Sequence, residues 1–456
     1  MSCRTRSASK SDGILKQVQD DRKKRMTITF IGHGYVGLVT ASVFADLGNK
    51  VWVIGRTQEK IENLKKGVIP IYEPGLEEIV KRNVLAKRLL FTLAYKEAIP
   101  ESKIVFIAVG TPSKRNGKAD LSVVFKVAEK IGRNLLDGYK VIVTKSTVPI
   151  GTNKKIERII LNAKPKSSTF DMASIPEFLR EGQAISDTLN PDRIVIGTES
   201  QIAKDLLVDL HKPLDGHLVL TNVETAEMIK YASNAFLATK ISYANAVAKL
   251  SELTGADGLR VLEAVGLDKR VGSAFLSPGA GYGGSCFPKD IKALVSIAKE
   301  YGYDFNLLKE VESINYEAIE DIVSKAKILL EGELTNKTVG ILGLSFKPNT
   351  DDMRDAPSII VIDSLQKMGA HIKAYDSVAI NNARKIFENV DFYNNPYSVA
   401  RDSDILIIMT EWNEFKELDL AKIKRLMKTP ILLDGRNIYD PKVLKEMGFI
   451  YKGVGR

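Results

Sequence analysis

The chain has 456 residues, of which 44% are hydrophobic and 27% charged, and these ordinary globular values exclude a mainly disordered chain. The formal net charge is +10, and the two cysteines, Cys3 and Cys286, are too few for a disulfide framework or a cysteine-rich zinc site. No apolar run approaches the roughly 20 residues of a membrane-spanning helix. We therefore expect a soluble protein without membrane contact in a reducing, cytoplasmic setting.

Half of the net charge lies in residues 1–25, which hold eight basic and three acidic side chains and have no apolar core of the secretory-signal type. We interpret this segment as a disordered, dispensable leader, with Met26 as a candidate start. Its aspartates disfavour a transit peptide, and a tail that binds nucleic acid or a membrane is the sharper alternative. For the rest of the chain we expect no nucleic-acid partner.

Strands alternate with helices from Met26 onward. The first predicted strand is Thr27–Ile31, followed by a glycine loop, a helix to about Leu47 and a strand at Lys50–Ile54. Further strands are predicted at Ile104–Val109, Val141–Thr144, Met172–Ser174 and Ile194–Ile196. This alternation indicates a doubly wound parallel sheet.

The segment from about Thr221 to Leu253 contains neither Gly nor Pro and predicts one long helix of the kind that joins domains or builds dimer interfaces. The first pattern then returns, with a strand at Thr338–Leu344, a helix over 358–368 and a strand at His371–Tyr375. We predict an α/β fold with two Rossmann-type, doubly wound parallel-sheet domains joined by a central helical domain. The predicted boundaries are 26–215, 216–332 and 333–456.

The sequence Gly-His-Gly-Tyr-Val-Gly over residues 32–37 is a G-x-G-x-x-G motif between a predicted strand and a predicted helix. In that context the motif indicates a dinucleotide site: Gly32 makes the turn, Gly34 admits the pyrophosphate, and Gly37 lets helix pack on strand. The start of the helix stabilises the phosphate charge.

The acidic residue that binds the ribose 2′-hydroxyl in such sites is absent. Its position, at the end of the second strand, is Gly55, and Arg56 and Thr57 follow. An arginine beside a missing carboxylate is the usual arrangement for a 2′-phosphate, which favours NADP. Alternatively, Gly55 merely shapes the turn and NAD binds through other contacts, so both cofactors stay open.

A second glycine-rich stretch runs from Gly279 to Gly284 and leads into Ser285-Cys286-Phe287-Pro288-Lys289-Asp290. Its glycines let the backbone wrap closely around a ligand. A lone cysteine is often a packing residue, but a neighbouring ammonium favours the thiolate. We therefore favour Cys286 as a nucleophile.

With the Rossmann loop, this stretch resembles the UDP-glucose 6-dehydrogenases within the UDP-glucose/GDP-mannose dehydrogenase family. The resemblance covers about residues 26–440, and the Phe after Cys286 is typical of the UDP-glucose branch. The remaining matches, in family order, are residues 70–76, 109–112, 145–149, 176–182, 230–234, 346–347 and 434–436. A dehydrogenase of GDP-mannose or UDP-N-acetylmannosamine is the alternative.

The resemblance implies a four-electron oxidation of UDP-glucose to UDP-glucuronate, using two dinucleotides per sugar. Cys286 would capture the intermediate aldehyde as a thiohemiacetal, which is oxidised to a thioester and hydrolysed. Lys230 would stabilise the oxyanion with Asn234 beside it, one turn along a helix. Glu177 would act as base for the hydrolytic water, Thr147 would order that water, and Asp290 would assist proton transfer.

The resemblance to the family also assigns binding residues and implies a homodimer, in which Arg270 would reach the neighbouring subunit's sugar. We expect dinucleotide contacts from Gly32, Gly34, Tyr35, Val36, Gly37, Arg56, Lys60, Thr111, Pro112, Ser146, Thr147, Glu181 and Arg354. We expect UDP-sugar contacts from Glu177, Phe178, Leu179, Lys230, Asn234, Arg270, Ser277, Gly281, Tyr282, Gly283, Phe346, Lys347 and Arg436. No metal is expected. The chain departs from the family at two positions. Gly55 replaces the usual acidic residue, and Ile175 replaces the usual Asn.

Overall fold

The computed structural model describes residues 25–456. The predicted leader and Cys3 therefore lie outside the described residues, except for Arg25. Among the described helices, none combines the length and the apolar character needed to cross a membrane. The chain divides into two compact units: one reaches Pro112 and resumes over Ala119–Lys230, and the other comprises Ser113–Lys118 and Tyr231–Arg456.

The first unit is built on an eight-stranded sheet in the order β3-β2-β1-β4-β5-β6-β7-β8. Its strands are β1 (Thr27–Ile31), β2 (Lys50–Ile54), β3 (Leu89–Thr92), β4 (Ile104–Ile107), β5 (Gly138–Thr144), β6 (Ser168–Ser174), β7 (Arg193–Gly197) and β8 (His217–Thr221). Its helices are α1 (Tyr35–Asp46), α2 (Gln58–Lys65), α3 (Leu76–Leu85), α4 (Tyr95–Glu101), α5 (Ser122–Asn134), α6 (Thr152–Ala163), α7 (Ala184–Leu189) and α8 (Gln201–His211).

Both faces of this sheet are covered, as a doubly wound fold requires. Along β4, Ile104 and Phe106 enter one apolar cluster, whereas Val105 and Ile107 enter another. Successive side chains of a strand point to opposite faces, so the two clusters are the two layers between sheet and helices. On the first face the rings of Phe30 and Phe106 stack with centroids 4.5 Å apart.

One pairing in this sheet differs from the expected parallel arrangement. Strand β6 meets β7 in antiparallel fashion through the single pair Ser174 and Gly197. A parallel return normally needs a crossover of a dozen or more residues, usually a helix. The connection between the two strands, residues 175–192, contains only the six-residue helix α7. These connecting residues instead form part of the candidate site.

The second unit combines helices with a six-stranded, fully parallel sheet in the order β11-β10-β9-β12-β13-β14. Its strands are β9 (Thr338–Leu342), β10 (His371–Tyr375), β11 (Val390–Phe392), β12 (Ile405–Ile408), β13 (Ile431–Asp434) and β14 (Ile450–Lys452). Its helices are the long α9 (Val223–Thr254), whose first turns belong to the first unit, then α10 (Gly258–Leu267), α11 (Phe287–Glu300), α12 (Asn306–Leu329), α13 (Pro357–Lys367), α14 (Ile380–Ala383), α15 (Pro396–Ala400), α16 (Asn413–Lys416), α17 (Leu420–Leu426) and α18 (Pro441–Glu446).

The predicted repeat of the first pattern is confirmed in the strand pairing. Strand β1 pairs in parallel with β2 over five residues, and β9 pairs in parallel with β10 over five residues. The predicted long helix and the two α/β sheets are confirmed as well. Strand β9 is shorter than predicted and ends at Leu342, because Gly343 adopts a left-handed backbone conformation with φ +91°.

Candidate active site

The glycine motif forms the turn from β1 into α1, and each glycine has its own structural reason. Gly32 has φ +122°, and a Cβ there would lie 2.2 Å from the carbonyl oxygen of Ala108 at the end of β4. A Cβ on Gly37 would lie 2.3 Å from the carbonyl oxygen of Gly32. Gly34, in contrast, faces open space. The turn and the close packing thus require two glycines, and the third leaves room for a pyrophosphate beside the helix start at Tyr35 and Val36.

Two neighbouring loops follow the next strands of the sheet at the same edge. Thr111 donates from its hydroxyl to the carbonyl oxygen of Thr147 at 2.8 Å, and Ser146 donates to that of Val109 at 2.7 Å. These bonds tie the loop after β4, which ends in the exposed Pro112, to the loop after β5. Ligands of open α/β sheets bind at this carboxyl edge, so the predicted cofactor residues of both loops occupy a suitable place.

Glu177 and Lys230 form a buried ion pair, with 2.9 Å between a carboxylate oxygen and the ammonium nitrogen. Glu177 also accepts a hydrogen bond from the backbone N–H of Leu179 at 2.8 Å. Burial alone would raise the pKa of Glu177, but the charge and hydrogen bond of Lys230, with the Leu179 amide and the charge of Lys145, bring that pKa below its ordinary value. The carboxylate is therefore ionised and oriented, as a general base must be.

Aromatic and cationic side chains surround this pair. The guanidinium of Arg193 lies 3.9 Å from the ring centroid of Phe178, and the ammonium of Lys230 lies 5.3 Å from the same centroid. Phe178, Leu179 and Glu181 are half-buried on the segment that follows β6. Of the predicted residues of this segment, Glu177 and Phe178 thus lie beside Lys230.

Lys145 is a candidate that the sequence reasoning missed, although it is the first residue of the family match at 145–149, Lys-Ser-Thr-Val-Pro. It lines a pocket with Glu177 and His211. Burial lowers the pKa of Lys145 to about 8, while the charge of Glu177 raises it and that of Lys230 lowers it further. Burial also lowers the pKa of His211 to about 4. The pocket therefore holds a neutral imidazole and a lysine that titrates near physiological pH.

Two more missed residues hold the site loops in place. Glu227 accepts hydrogen bonds from the backbone N–H groups of Gly151 at 2.6 Å and Asn153 at 3.0 Å, at the start of α6. It lies one turn before Lys230 on α9, so this contact fixes the helix that carries the lysine. Glu73 accepts from the N–H groups of Gly182 and Ala184, both at 2.7 Å, and so anchors the loop that follows Glu181.

Cys286 lies at the start of α11, immediately before Phe287, and is half-buried. The N-terminal end of a helix carries partial positive charge, which favours a thiolate there. Asp290, one turn along, is almost fully buried and accepts a hydrogen bond from the side-chain amide of Asn234 at 2.6 Å. It also forms an ion pair with Lys289. The second unit therefore brings Asn234 and Asp290 into contact, one turn of α11 from Cys286.

The glycine-rich loop before Cys286 packs against the domain of the six-stranded sheet. A Cβ on Gly283 would lie 2.2 Å from the carbonyl oxygen of Asp355, and one on Gly284 would lie 2.7 Å from the Phe346 ring. Backbone bonds of 2.9 Å join Ala280 to Gly435 and Gly284 to Arg354. Since a Cβ does not fit at such approaches, Gly283 and Gly284 are required for this packing.

Arg436 spans this loop and the end of β13. Its side chain donates to the carbonyl oxygens of Met409 at 2.8 Å and Gly281 at 3.2 Å. Its Nη2 is buried and has no hydrogen-bond partner among residues 25–456. A buried guanidinium nitrogen without a partner is costly, and a phosphate oxygen is a suitable acceptor for it.

The other predicted contact residues of the second unit differ in exposure. Tyr282 is buried in the loop, whereas Ser277 is exposed. Lys347 lies with its ammonium 5.5 Å from the Phe346 ring centroid. Arg354 is held by Asp352 at 2.6 Å. Arg270 has an 89% exposed side chain and forms an ion pair with Asp268 at 2.6 Å.

No group of three or more His, Cys, Asp or Glu side chains suited to hold a metal ion occurs in the part of the chain that the structure describes. The candidate site residues instead form two sets of polar residues, and each set lies inside one of the two units. The first contains Glu177, Lys230 and the loops around the glycine motif, and the second contains Cys286, Asp290, Asn234 and the Arg436 cradle.

Comparison with protein families agrees with this arrangement. Residues 26–215, 224–317 and 340–441 match the NAD binding domain, the central domain and the UDP binding domain of the UDP-glucose/GDP-mannose dehydrogenase family. The chain is 49% identical to UDP-glucose 6-dehydrogenase TuaD of Bacillus subtilis over 94% of this chain and 93% of that protein. It is 47% identical to a UDP-glucose 6-dehydrogenase of Rhizobium meliloti over 94% of this chain and all of that protein.

Solved structures of nucleotide-sugar dehydrogenases are also similar to this chain. A UDP-glucose dehydrogenase from Pyrobaculum islandicum superposes with a TM-score of 0.89 at 37% identity, covering 94% of this chain and 98% of that one. A UDP-D-ManNAc dehydrogenase from Pyrococcus horikoshii superposes with a TM-score of 0.83 at 28% identity, covering 94% and 99% of the two chains.

Proposed function

The chain belongs to the UDP-glucose/GDP-mannose dehydrogenase family, and we propose that it oxidises UDP-glucose to UDP-glucuronate in two hydride transfers. The cofactor is a nicotinamide dinucleotide, NAD or NADP, which when bound accepts one hydride in each step. The open space at Gly34, beside the start of α1, fits its pyrophosphate. The observation that carries the proposal is the half-buried Cys286 at the start of α11 with Asp290 buried one turn on.

Cys286 is the proposed nucleophile. Loss of a hydride and a proton from the CH₂OH group gives an aldehyde. The thiolate adds to its carbonyl carbon, and the carbonyl oxygen, now an alkoxide, takes a proton to give a thiohemiacetal. Loss of a second hydride and a proton gives a thioester. Water then adds to the thioester carbonyl, and the C–S bond breaks to release carboxylate and thiol. Covalent capture keeps the aldehyde from escaping between the two oxidations.

Glu177 and Lys230 are the proposed base and oxyanion stabiliser. An ionised carboxylate held by Lys230 and the Leu179 amide accepts the proton of the hydrolytic water, which Thr147 orders. The ammonium of Lys230 stabilises the negative charge that develops on the sugar oxygen. Asp290, bonded to Asn234, assists proton transfer and orients that amide toward the sugar.

The UDP group is proposed to bind the loop of residues 277–283, with Phe346 and Lys347 on its other side and Arg436 on a phosphate. The unsatisfied Nη2 of Arg436 supports this assignment. Arg354 contacts the dinucleotide. GDP-mannose or UDP-N-acetylmannosamine is the alternative substrate, and the Phe after Cys286 together with the UDP-glucose 6-dehydrogenase relatives favours UDP-glucose.

A homodimer is proposed from α9. Phe236, Tyr243 and Leu250 recur every seven residues and are 66%, 54% and 61% exposed, so they form one apolar stripe on the helix. A second copy of the same helix buries such a stripe symmetrically. The dimer also gives the exposed Arg270 a neighbour to reach. We propose a cytoplasmic location, because a reducing compartment keeps a thiol such as that of Cys286 reduced.

The test is turnover with each sugar nucleotide. Purified enzyme is incubated with UDP-glucose, GDP-mannose or UDP-N-acetylmannosamine, and absorbance of the reduced cofactor is followed to completion. We expect two reduced cofactors and one uronate per UDP-glucose. Faster turnover of either other sugar would transfer the assignment to it, and one reduced cofactor per sugar would remove the second oxidation.

A further inference from the structure

The end of β2 is built differently from a site that binds a ribose 2′-hydroxyl through a carboxylate. The residue at that position is Gly55, and a Cβ there would lie 2.5 Å from Cδ1 of Ile61 and 2.8 Å from Cδ2 of His33. Position 55 therefore supplies no carboxylate, and the His33 ring and the Ile61 side chain occupy the space that a side chain there would take.

Cationic side chains surround the same point. Arg56 and Lys60 are exposed, and neither forms an ion pair with any residue from 25 to 456. Burial lowers the pKa of His33, and the charges of Lys60 and Arg56 lower it further, so both charges act on this imidazole. The Nε2 atom of His33 is buried and has no hydrogen-bond partner within the described chain. The His33 ring thus lies against Gly55 at the end of β2, next in sequence to Arg56, and in such folds the adenosine ribose of a dinucleotide binds at this strand end.

The start of α2 adds donors at this corner. Thr57 precedes the helix in extended conformation, with φ −119° and ψ 120°, and its hydroxyl makes no capping bond. The first backbone N–H groups of a helix have no partner inside the helix, and the helix end favours an anion. Two acidic residues lie on α2: Glu62 is held by Lys65 at 3.0 Å, and Glu59 is exposed. The cations are not neutralised by either.

We infer that His33, Arg56, Thr57 and Lys60, here called the basic corner, bind the 2′-phosphate of NADP, and that NADP is the preferred cofactor. This inference rests on the proposed oxidation for its physiological meaning. The guanidinium of Arg56 matches two phosphate oxygens, and Lys60 adds a point charge. Thr57 donates from its hydroxyl. The negative charge of the phosphate favours the protonated imidazole of His33, whose Nε2–H then donates to a phosphate oxygen. NAD carries only a hydroxyl at the ribose 2′ position, so it gives Arg56 and Lys60 no negative charge to bind.

Two measurements separate this inference from the proposed function. The first is calorimetric titration of the full chain with 2′,5′-ADP and, separately, 5′-AMP, which needs neither sugar nor turnover. The second is kcat/KM for NADP and for NAD with UDP-glucose. We expect tighter binding of 2′,5′-ADP by about tenfold or more and a kcat/KM preference for NADP of similar size.

Substitutions of Arg56 and Lys60 test whether these two residues bind the 2′-phosphate. Arg56→Gln and Lys60→Gln should each reduce the ratio of the NADP to the NAD kcat/KM by about tenfold. Lys65→Gln, which removes the same charge from the last turn of α2, is the matched control and should leave that ratio as it is.

The outcomes are distinct. A preference for 2′,5′-ADP without oxidation of UDP-glucose would support the basic corner and refute the proposed substrate. Oxidation of UDP-glucose with NAD at least as efficient as NADP, and no advantage for 2′,5′-ADP, would overturn the basic corner and leave the proposed substrate intact.

Discussion

The carboxylate of Glu177 lies 2.9 Å from the ammonium of Lys230, and both side chains are buried, with 7% and 4% of their surface exposed. An ion pair in such a place loses its solvation, and either partner left alone is a costly buried charge. The pair therefore links the stability of the first unit to the chemistry proposed for it.

Removing one partner should be worse than removing both charges. Lys230→Met leaves the buried carboxylate without its main cation and should lower the free energy of unfolding by about 3–5 kcal/mol. The double variant Lys230→Met with Glu177→Gln has no such charge and should recover a large part of that loss. Urea denaturation of the double variant and of both single variants, Lys230→Met and Glu177→Gln, measures this coupling, and additive losses would show that the pair is not coupled.

The pKa of Glu177 predicts the acid side of the hydrolysis profile. Burial would raise it, but Lys230, the Leu179 amide and Lys145 bring it below its ordinary value, so the base is ionised until the pH falls below the usual carboxyl range. Lys230→Met should move the acid limb of uronate release to higher pH. Release is followed from preformed thioester in single-turnover experiments, and an acid limb that stays in place would exclude this control of Glu177.

Lys145 predicts a pH-dependent stability. Its pKa falls from 10.5 to about 8 on folding because of burial, so the unfolded chain binds the proton more tightly. The free energy of unfolding should therefore rise as the pH increases from about 8 to above 10, by about 3 kcal/mol for this group. Lys145→Met should lack this rise and be more stable than the original chain at neutral pH.

The measurement is the difference in unfolding free energy between the two proteins at several pH values, in which the titration of other groups cancels. Lys155→Met, an exposed change on α6, is the control and should follow the original chain. A constant difference between Lys145→Met and the original would show that Lys145 keeps its ordinary titration. If Lys145 serves catalysis, the stabilised variant should also lose activity, the usual stability–activity trade-off.

The apolar stripe of α9 predicts the oligomeric state. Tyr243→Glu places a charge in the middle of the stripe and should convert the dimer to a monomer in analytical ultracentrifugation. Leu136→Glu changes an equally exposed leucine of the first unit, 56% exposed against 54% for Tyr243, and should leave the dimer in place. A chain that is monomeric before any substitution would refute the proposed dimer.

Much of the fold follows from local sequence patterns. The glycine motif, the strands at Thr27–Ile31 and Lys50–Ile54, and the long helix were all predicted where they occur, because turn chemistry and periodicity are properties of short segments. The antiparallel contact of Ser174 with Gly197 was not predicted, since it depends on how the segment between β6 and β7 leaves the sheet.

The parts of the site that were missed depend on distant residues. Glu227 binds the start of α6 from 76 positions along the chain, and Glu73 binds the loop at Gly182 from 109 positions away. A surface glutamate and a buried loop anchor have the same local sequence signal, so only the fold distinguishes them. Lys145 was overlooked for the same reason, because its titration depends on burial and on the charges of Glu177 and Lys230.

The most direct test of the central claim is the intact mass of the Glu177→Gln variant after incubation with UDP-glucose and oxidised dinucleotide. The account predicts a protein whose mass is increased by one UDP-glucuronyl group, held as a thioester on Cys286 and absent when Cys286→Ala is added. An unmodified Glu177→Gln protein that releases uronate at the original rate would contradict it.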